Sequence, residues 1–446
     1  MSATEPGWPR CHPLTYYSDA SHYFERIRRL VWPVWLDSGQ PAAPEGRYDI
    51  LAANPIQQIT LSAKQADQVP SLLRSALHSD IHCPDNIPFC GGWIGYLSYE
   101  LGRAWMGLPH TVDNRLAPDA RIGLYDWAII VDHQHQTAQL VSAGLAPETR
   151  AQWADICTQM TPKDTLTPCI PCIGTLLDNS LPTAAYAEAF QHIQDFLHAG
   201  DSYQVNLTRR FRAHSTEPAW SLYRRLRTNS PAPYGAYLSY PDITICSNSP
   251  EQFIQKTGQQ VSTRPIKGTR PRGLSAVDDQ RLQHELMHSH KDRAENLMIV
   301  DLLRNDISRV CRPGSVQVPE LFGLTTYATV HHLVSTVKGE LAAGQDTIDL
   351  LQACFPGGSI TGAPKQRTMQ IIDELEPVSR ELYCGSIFWL GLDGNMDSNI
   401  SIRTLLKKQD TLYYWSGGGI VADSISAAED QESLDKAAAF FTLINE

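Results

Sequence analysis

Residues 186–208 read YAEAFQHIQDFLHAGDSYQVNLT, and within this stretch the hydrophobic spacing changes from that of a helix to that of a strand. Apolar side chains first recur three or four residues apart, at Tyr186, Phe190, Ile193 and Leu197. Gly200 then supplies a residue at which helices commonly end. From Tyr203 onward apolar and polar residues alternate, as in a strand with two different faces. The stretch predicts a helix ending at Gly200 and a strand that turns Gln204 towards a polar cavity.

Downstream of this stretch, turn signals and helical spacing predict a mixed α/β fold of the α+β kind with antiparallel sheet. Pro241 and Asp242 separate one pair of short apolar runs, and Thr257 and Gly258 separate another, so two hairpins are expected. Helices are expected over 275–310, 368–375 and 426–446, and further strands near 385–390, 400–405 and 412–415.

The N-terminal part reads as a sheet-rich region that a connector joins to the rest. Short apolar runs there, at 48–53, 95–99 and 128–131, alternate with turn residues. Residues 160–182 contain four prolines and lack sustained periodicity, as a connector does. We therefore predict a sheet-rich region over 1–180 and a second region over 181–446 that carries the chemistry.

The composition excludes several classes of protein. The chain has 446 residues, 42% of them apolar and 19% charged, which is typical of a folded globular protein. Its 37 Lys and Arg residues against 48 Asp and Glu give a net charge of −11, which argues against general binding to nucleic acid or anionic membranes. No stretch reaches the roughly 20 apolar residues that span a bilayer.

The cysteines and the N-terminus favour the reducing cytosol. Ten cysteines are scattered along the chain, and the first residues lack the basic start and apolar core of a signal peptide. Cys169 and Cys172 have the spacing of a redox pair. The surrounding Pro/Thr-rich stretch lacks a helix pattern, so we interpret them as incidental loop residues. We expect a cytoplasmic protein.

A basic segment around Lys267 is the first candidate for chemistry. Residues 256–272 carry five basic side chains and no acidic one, inside an acidic protein. A solvated surface would explain such a run, but Pro265 and Gly268 fix the backbone around Lys267. Crowding by other cations or desolvation lowers the pKa of an ammonium group, and the neutral amine is a nucleophile or a base.

Two helical segments each offer carboxylates on one face. Asp292 and Glu295 are three residues apart, and Glu429, Glu432 and Lys436 share a face of the C-terminal helix. Mg²⁺ takes one or two protein carboxylates, keeps water and binds anionic substrates, so the two pairs suit that ion. Salt bridges on exposed helices are the alternative interpretation.

Two glycine-rich segments are candidates for binding an anion. FPGGSITGAPK (355–365) precedes a helix pattern, and SGGG (416–419) is expected to follow a strand, so both could present backbone N–H groups. Pro364 and the glycine spacing depart from a phosphate-binding loop, which makes a carboxylate the favoured guest. Arg403, expected on a strand, could clamp that carboxylate. Together these patterns predict a site for a polyanionic small molecule with Mg²⁺.

Eight segments in order, SPEQF, PIKGTRPRG, KDRAENLMIVDLLRND, HHLVST, FPGGSITGAPK, GNMDSNISIRTL, SGGGIVADS and AEDQESLDK, resemble the chorismate-utilising enzymes. The match is dense over 183–446 and weaker at LDSG (36–39) and PFCGGWIGYLSYELGR (88–103). The resemblance implies a two-layer sandwich of antiparallel β-sheets surrounded by helices, of the anthranilate synthase component I type, with the cleft between the layers. It also implies that the two regions form one interwoven unit.

Two residues indicate which branch of that family the chain resembles. Lys267 stands where the folate branch carries Lys and where anthranilate, isochorismate and salicylate synthases usually carry a small residue. Gln204 stands where water-using members carry a Lys base, so ammonia is the implied nucleophile. The resemblance implies conversion of chorismate and ammonia to 4-amino-4-deoxychorismate for para-aminobenzoate and folate, with ammonia from a separate glutamine amidotransferase subunit. Cys90 lies in the sequence Phe-Cys-Gly-Gly, which differs from the Gly-x-Cys-x-Gly pattern around the nucleophilic cysteine of such amidotransferases, so we interpret Cys90 as structural.

The resemblance also assigns residues to the metal and to the substrate. Glu295 and Glu432 would ligate Mg²⁺, with Asp292 and Glu429 in or just outside that shell. The residues implied to bind chorismate are Gln204, Thr269, Thr361, Tyr383, Arg403, Gly417, Gly418, Gly419 and Lys436.

The chemistry implied by the resemblance centres on Lys267. This lysine would attack carbon 2 and expel the 4-hydroxyl, and ammonia would then enter at carbon 4 and release the lysine. Glu251 would protonate the departing hydroxyl, and His332 would hydrogen-bond near it. An anthranilate-forming relative is the nearest rival, and Lys267 argues against it. A non-catalytic homologue would be expected to lack the acid or a metal carboxylate, whereas Glu251, Glu295 and Glu432 are all present.

Some relatives hold tryptophan in their N-terminal region, near two segments that are also present in this chain. These segments are LDSG (36–39) and NSPAPY (229–234). Because LDSG differs from the LLES pattern of feedback-regulated members, we do not expect regulation by tryptophan. Whether the chain binds tryptophan as a structural component stays an open question.

Overall fold

The computed structural model describes residues 7–43, 46–77, 81, 83–84, 86–108, 115–160, 166–169, 171, 173–327 and 330–445. The strands are, in chain order, β1 (Arg10–Leu14), β2 (Val34–Asp37), β3 (Tyr48–Ala52), β4 (Gln57–Leu61), β5 (Gly92–Leu97), β6 (Ala120–Tyr125), β7 (Trp127–Asp132), β8 (Thr137–Ser142), β9 (Thr175–Asn179), β10 (Gln204–His214), β11 (Tyr234–Ser239), β12 (Thr244–Ser249), β13 (Gln252–Thr257), β14 (Gln260–Arg264), β15 (Ile266–Pro271), β16 (Gln317–Thr326), β17 (Val330–Glu340), β18 (Gly362–Ala363), β19 (Ser386–Gly391), β20 (Met396–Asn399), β21 (Thr404–Lys408) and β22 (Thr411–Ile420). The α-helices are α1 (Ser21–Ile27), α2 (Val69–Arg74), α3 (Tyr99–Trp105), α4 (Pro147–Ala151), α5 (Trp153–Gln159), α6 (Thr183–His198), α7 (Ala219–Asn229), α8 (Ala276–His288), α9 (His290–Ser308), α10 (Thr347–Cys354), α11 (Lys365–Leu375), α12 (Ser426–Asp435) and α13 (Ala438–Asn445).

The strands form two antiparallel sheets, and each sheet contains strands from before and after residue 180. The larger sheet has the order β1-β8-β7-β3-β2-β11-β12-β21-β22-β10-β18, with β9 beside β10. The smaller sheet has the order β15-β17-β14-β13-β20-β19-β5-β6-β4, with β16 beside β17. The early and late strands meet at the β2–β11 pair and at the β5–β19 pair.

The main hydrophobic core lies between the two sheets. Val34 and Ile50 of the larger sheet and Trp93 and Phe388 of the smaller one belong to a single cluster of buried side chains. Neighbouring residues on each strand point to opposite faces, so Trp35 points outward from the sandwich. Two antiparallel sheets therefore pack face to face, as the resemblance to the chorismate-utilising enzymes implies.

Helices cover the outer faces of the sheets. On the larger sheet, Phe24 of α1 and Trp220 of α7 pack over Trp35, with ring centroids 5.7 and 6.0 Å from it. Tyr186 of α6 and Ile371 of α11 belong to a third cluster with residues of β10 and β22. On the smaller sheet, α8 and α9 lie against β15 and β17. Among the described residues, no helix is both long and apolar enough to cross a bilayer.

Local patterns in the sequence predict many of these elements correctly. The helix that begins the decisive stretch is α6, and it is followed by Gly200 with φ +81°. The two hairpins are β11–β12 and β13–β14. The connector is only partly irregular, because β9 lies inside it and pairs with β10. Of the candidate redox pair, Cys172 lies outside the described residues, and Cys169 carries a free thiol.

Two predictions about strands near the expected site are wrong. The strand expected over 400–405 is β21, which begins only at Thr404, so Arg403 lies in the turn before it with φ +52°. Residues 416–419 do not follow a strand, because they lie inside β22 and pair with β10. The glycines therefore present their backbone from the edge of a sheet segment and not from a loop.

Candidate active site

Lys267 projects from β15 at an irregular point in the strand pairing. The register between β15 and β17 shifts between Ile266 and Thr269, and such irregularities redirect a side chain. Gly268 adopts φ +84°, and a Cβ at this position would lie 2.9 Å from the Cβ of Asp292. The Lys267 ammonium donates a hydrogen bond to the main-chain carbonyl of Ser359, with an N–O distance of 3.1 Å.

The surroundings of Lys267 favour its neutral form. Desolvation lowers the pKa of Lys267, and Glu295 and Glu251 oppose that effect through their negative charges. A lysine in such a place is deprotonated at lower pH than an exposed one. The basic residues of its own strand are not the main cause, because Arg270 is engaged with Asp292 at 3.1 Å.

Glu251 lies between β12 and β13 and is 5% exposed. Burial raises the pKa of Glu251, while a hydrogen bond from Ser359 and the charge of Lys267 act in the opposite direction. A carboxyl with a raised pKa keeps its proton to higher pH than an exposed one, which suits it to act as a general acid. Lys267 and Glu251 thus meet at one residue, Ser359, which hydrogen-bonds to both of them.

The carboxylates of α9 and α12 converge around Lys291. Its ammonium nitrogen lies 3.2 Å from Oε1 of Glu429 and 4.0 Å from Oε1 of Glu295. Burial raises the pKa of Glu295, and the neighbouring lysines Lys267 and Lys291 oppose that effect. The two helices therefore bring carboxylates that are far apart in the sequence close to one cation, the Lys291 ammonium group.

Gly418 forms the floor beneath the charged groups of α12. A Cβ at Gly418 would lie 3.4 Å from Glu429 Oε2, 3.6 Å from Lys436 Nζ and 3.8 Å from Glu432 Oε1. Lys436 pairs with Glu432 at 2.7 Å and donates to the carbonyl of Gly417 at 3.1 Å. The predicted common face of Glu429, Glu432 and Lys436 is present, and it lies over the glycine segment of β22.

The acidic residues suit Mg²⁺ when water and substrate supply its other ligands. Among the described residues, no group of three or more His, Cys, Asp and Glu side chains is arranged as a ready metal site. Mg²⁺ needs only one or two protein carboxylates, and a cation already lies between Glu295 and Glu429 in the form of the Lys291 ammonium. Asp292 instead accepts a hydrogen bond from Arg270 at 3.1 Å.

Gln204 closes the opposite side of the glycine segment. A Cβ at Gly419 would lie 2.8 Å from the Gln204 amide nitrogen. Gln204 is fully buried, and within the described part of the chain neither of its amide atoms has a hydrogen-bond partner. An unsatisfied buried amide is costly unless a ligand satisfies it. On its other edge, β22 pairs with β21 only up to Tyr414. Beyond that point, alternate backbone N–H and C=O groups of residues 416–419 have no strand partner among the described residues on the β21 side and can bind a ligand.

His332 and Thr269 form a second polar group, on β17 and β15. Thr269 Oγ1 and His332 Nδ1 are 2.9 Å apart. Burial, with a contribution from Arg403, lowers the pKa of His332 to about 4, so this imidazole is neutral at pH 7. Arg403 is held by its backbone, whose carbonyl accepts a hydrogen bond from the Asn248 N–H at 3.0 Å.

Thr361 and Tyr383, two further residues predicted to bind the substrate, are both buried. The Thr361 hydroxyl donates to the carbonyl of Gly357 at 3.0 Å, within the segment 355–363. Tyr383 lies in the turn before β19, and burial raises the pKa of its phenol well above the ordinary value. The sequence analysis missed Ser359 and Lys291, although both lie inside segments that it quotes, because nothing in their spacing singles them out.

A separate cavity of about 820 Å³ opens elsewhere between the sheets. Leu36 and Asp37 of LDSG line it, together with Pro233 and Tyr234 and with Asp397 of β20. Burial raises the pKa of Asp397 to about 7. The two segments that the sequence analysis connects with tryptophan thus border one cavity.

The fold and the charged cleft define the class of protein. The sequence profile of the chorismate binding enzymes matches residues 34–442, and the chain belongs to that family.

Particular relatives narrow this class further. The chain is 45% identical over 433 residues to aminodeoxychorismate synthase component 1 of Salmonella typhimurium, covering 94% of each chain. It is 42% identical over 445 residues to the protein of the same name from Escherichia coli, covering 96% of this chain and 97% of that one. The crystal structure of anthranilate synthase component I from Streptococcus pneumoniae superposes with a TM-score of 0.77 at 29% identity, covering 88% of this chain and 92% of that one.

Proposed function

We propose that this chain converts chorismate and ammonia to 4-amino-4-deoxychorismate, as component 1 of an aminodeoxychorismate synthase. The observation that carries the proposal is the meeting of a desolvated lysine, Lys267, and a buried acid, Glu251, at Ser359. The names of the relatives with the highest identities quoted above support the same reaction.

The substrate has two carboxylates, and the cleft offers cationic groups for both. We assign the enolpyruvyl carboxylate to Arg403, Tyr383, Lys436 and the backbone of 417–419. The ring carboxylate is assigned to the side of the cleft that carries Glu295 and Glu432. Those two glutamates would hold Mg²⁺, with Asp292 and Glu429 beside them, and the ion would neutralise the charge of the carboxylate.

In the first step Lys267 forms a bond from its neutral amine to carbon 2 of the ring. Both conjugated ring double bonds shift by one position, from C1=C2 and C5=C6 to C1=C6 and C4=C5, the bond between carbon 4 and its hydroxyl oxygen breaks, and Glu251 gives its proton so that water leaves. The raised pKa of Glu251 shifts this carboxyl towards the protonated form that can donate the proton. Neutral His332 and Thr269 would hydrogen-bond near the departing oxygen.

In the second step ammonia forms a bond to carbon 4. Both ring double bonds shift back to C5=C6 and C1=C2, and the bond between carbon 2 and the Lys267 nitrogen breaks. After transfer of one proton the net reaction consumes chorismate and ammonia and yields the amino product and water. The unpartnered amide of Gln204 supports this step, because its oxygen can accept a hydrogen bond from a nitrogen nucleophile.

Further parts of the proposal concern partners and location. We propose that a glutamine amidotransferase subunit supplies the ammonia. We also propose that tryptophan binds in the 820 Å³ cavity, which residues of both LDSG and NSPAPY line. The nine described cysteines carry free thiols, which supports the cytosol as the location.

The proposal is tested with the purified chain, chorismate, Mg²⁺ and an ammonium salt. The expected product keeps the enolpyruvyl group and carries nitrogen at carbon 4, as identified by mass spectrometry and NMR. Glutamine in place of ammonium should give no product. Release of pyruvate with anthranilate would show that the chain carries out the rival reaction.

A further inference from the structure

The loop 357–361 determines where Lys267 and Glu251 lie relative to each other. The Ser359 carbonyl accepts a hydrogen bond from Lys267 at 3.1 Å, and its side chain hydrogen-bonds to the Glu251 carboxylate. A displacement of Ser359 would therefore move both reacting groups. The loop begins with two glycines, Gly357 and Gly358, whose backbone is conformationally permissive, and residues Gly358–Ile360 form one 3-10 turn. Contacts from neighbouring elements add to the hydrogen bond from Thr361 to Gly357 that holds the loop from within.

Arg380 supplies such a contact from the turn that precedes β19. Its side chain is 1% exposed. One guanidinium nitrogen, Nη1, donates to the carbonyl of Ile360 at 2.9 Å, and the other, Nη2, donates to the carbonyl of Asn206 at 2.7 Å. Arg380 thereby ties the residue next to Ser359 to β10, the strand that carries Gln204.

The orientation of this guanidinium is fixed on its remaining sides. Glu376 accepts from Nε at 2.8 Å and from Nη2 at 2.7 Å, and its Oε1 also accepts from the backbone N–H of Thr208 at 2.8 Å. The guanidinium lies over the ring of Tyr99, 4.8 Å from its centroid. A planar fork with five donors fits these partners, whereas a lysine ammonium could not reach both carbonyls and the carboxylate at once.

We propose that Arg380 is a positioning residue for the amination reaction, acting through the loop 357–361 to hold Lys267 and Glu251 in line with the substrate. The inference rests on the proposed function for its chemistry. Its structural part, the fixing of the loop, can be measured without substrate.

The kinetic experiment compares Arg380→Lys with a matched control, Arg103→Lys. Arg103 is also a buried arginine with a carboxylate and a carbonyl partner, Asp373 at 3.0 Å and the Met369 carbonyl at 3.1 Å, but both partners belong to α11. We expect Arg380→Lys to lower kcat by about tenfold to a hundredfold, since small misplacements of reacting groups have such effects. The KM for chorismate should change less than about threefold, and Arg103→Lys should keep kcat per folded molecule.

Hydrogen exchange of the backbone amides measures the loop directly. Residues 358–361 should exchange faster in Arg380→Lys and at the wild-type rate in Arg103→Lys. Should Arg380→Lys fail to fold, Glu376→Gln removes the charge that orients the guanidinium and should cause a smaller change of the same kind.

Equal losses of kcat in the two arginine variants would overturn the inference, because they would indicate general destabilisation. Unchanged exchange at 358–361 would overturn it as well. The exchange result is independent of the reaction, so a wild-type chain that fails to make the amino product would refute the proposed function and leave the loop measurement interpretable.

Discussion

Lys256 and Lys267 lie on two strands of the same sheet, and both donate to a main-chain carbonyl. Lys256 contacts the carbonyl of Gly394 at 2.9 Å, and Lys267 contacts that of Ser359 at 3.1 Å. Desolvation lowers the pKa of both lysines. The difference lies in their neighbours, because Lys267 faces Glu251 and the carboxylates of two helices, whereas Lys256 interacts with Asp393 and Asp346 at a turn. A lowered pKa therefore does not identify a nucleophile unless a buried acid and a binding cleft accompany it.

The largest expected effect separates the two lysines by substitution. Lys267→Ala should lower kcat by about 10³-fold or more, since removal of a covalent nucleophile abolishes its step. Lys256→Ala should keep kcat per folded molecule. Mass spectrometry after trapping with chorismate, in the absence of ammonia, should find an adduct on Lys267 in the wild type and none in Lys267→Ala. If Lys267→Ala aminated chorismate at the wild-type rate and formed no adduct, Lys267 would not be the nucleophile and would not differ in role from Lys256.

The next effect concerns the acid beside each lysine. Glu251→Gln should lower kcat by about 10²- to 10⁴-fold, because the leaving hydroxyl loses its proton donor. Asp393→Asn, beside Lys256, should leave kcat unchanged. Wild-type activity needs protonated Glu251 and should fall as pH rises through its raised pKa, and this falling limb should be absent in Glu251→Gln. If the falling limb of the pH–activity profile persisted in Glu251→Gln, another group would be the proton donor.

A smaller effect is expected for the carboxylates near Lys267. Glu295→Gln and Glu432→Gln should each raise the Mg²⁺ concentration for half-maximal activity by about 10- to 100-fold, because a neutral amide binds a hard cation less well. Asp346→Asn, near Lys256, should not shift this concentration. Activity of the wild type in excess chelator would contradict a role for the ion.

The smallest effect is on stability and belongs to Lys256. Its folded-state pKa lies below the ordinary value, so the unfolded chain binds more protons between the two pKa values. Stability relative to Lys256→Met should therefore rise as pH increases towards about 10.4, by no more than about 1.4 kcal/mol per pH unit. Urea unfolding from pH 8 to 10.5 measures this change. A difference that does not vary with pH would show that Lys256 titrates normally.

The sequence predicts features that depend on nearby residues and misses those that depend on distant ones. The end of α6 near Gly200 and the hairpins follow from local spacing. The glycines 417–419 were expected outside a strand, because glycine weakens a strand pattern, yet pairing with β10 keeps them inside β22. The predicted strand over 400–405 includes Arg403, but the chain turns there, with φ +52° at Arg403.

The charged cleft shows the same limit. The spacing of Glu429, Glu432 and Lys436 predicts their common face, and the structure places all three over Gly418. No local pattern predicts that Ser359 hydrogen-bonds to both Lys267 and Glu251, because these residues come from three separated segments. Arg380 likewise contacts Asn206, 174 positions away in the chain, so its role could not be read from its neighbours.

The exchange of strands between the two parts of the chain has a consequence for biosynthesis. In the larger sheet Val34 pairs with Leu238, more than 200 residues later, and β22 and α12 complete the cleft close to the C-terminus. During synthesis, β2 can pair with β3 early, but its other edge stays unpaired until β11 has been made. Contacts so distant in sequence make folding slow and leave unpaired strand edges open to aggregation meanwhile. A chain that stops before α12 would lack Glu429, Glu432 and Lys436, so the charged cleft is complete only after residue 436 has been translated.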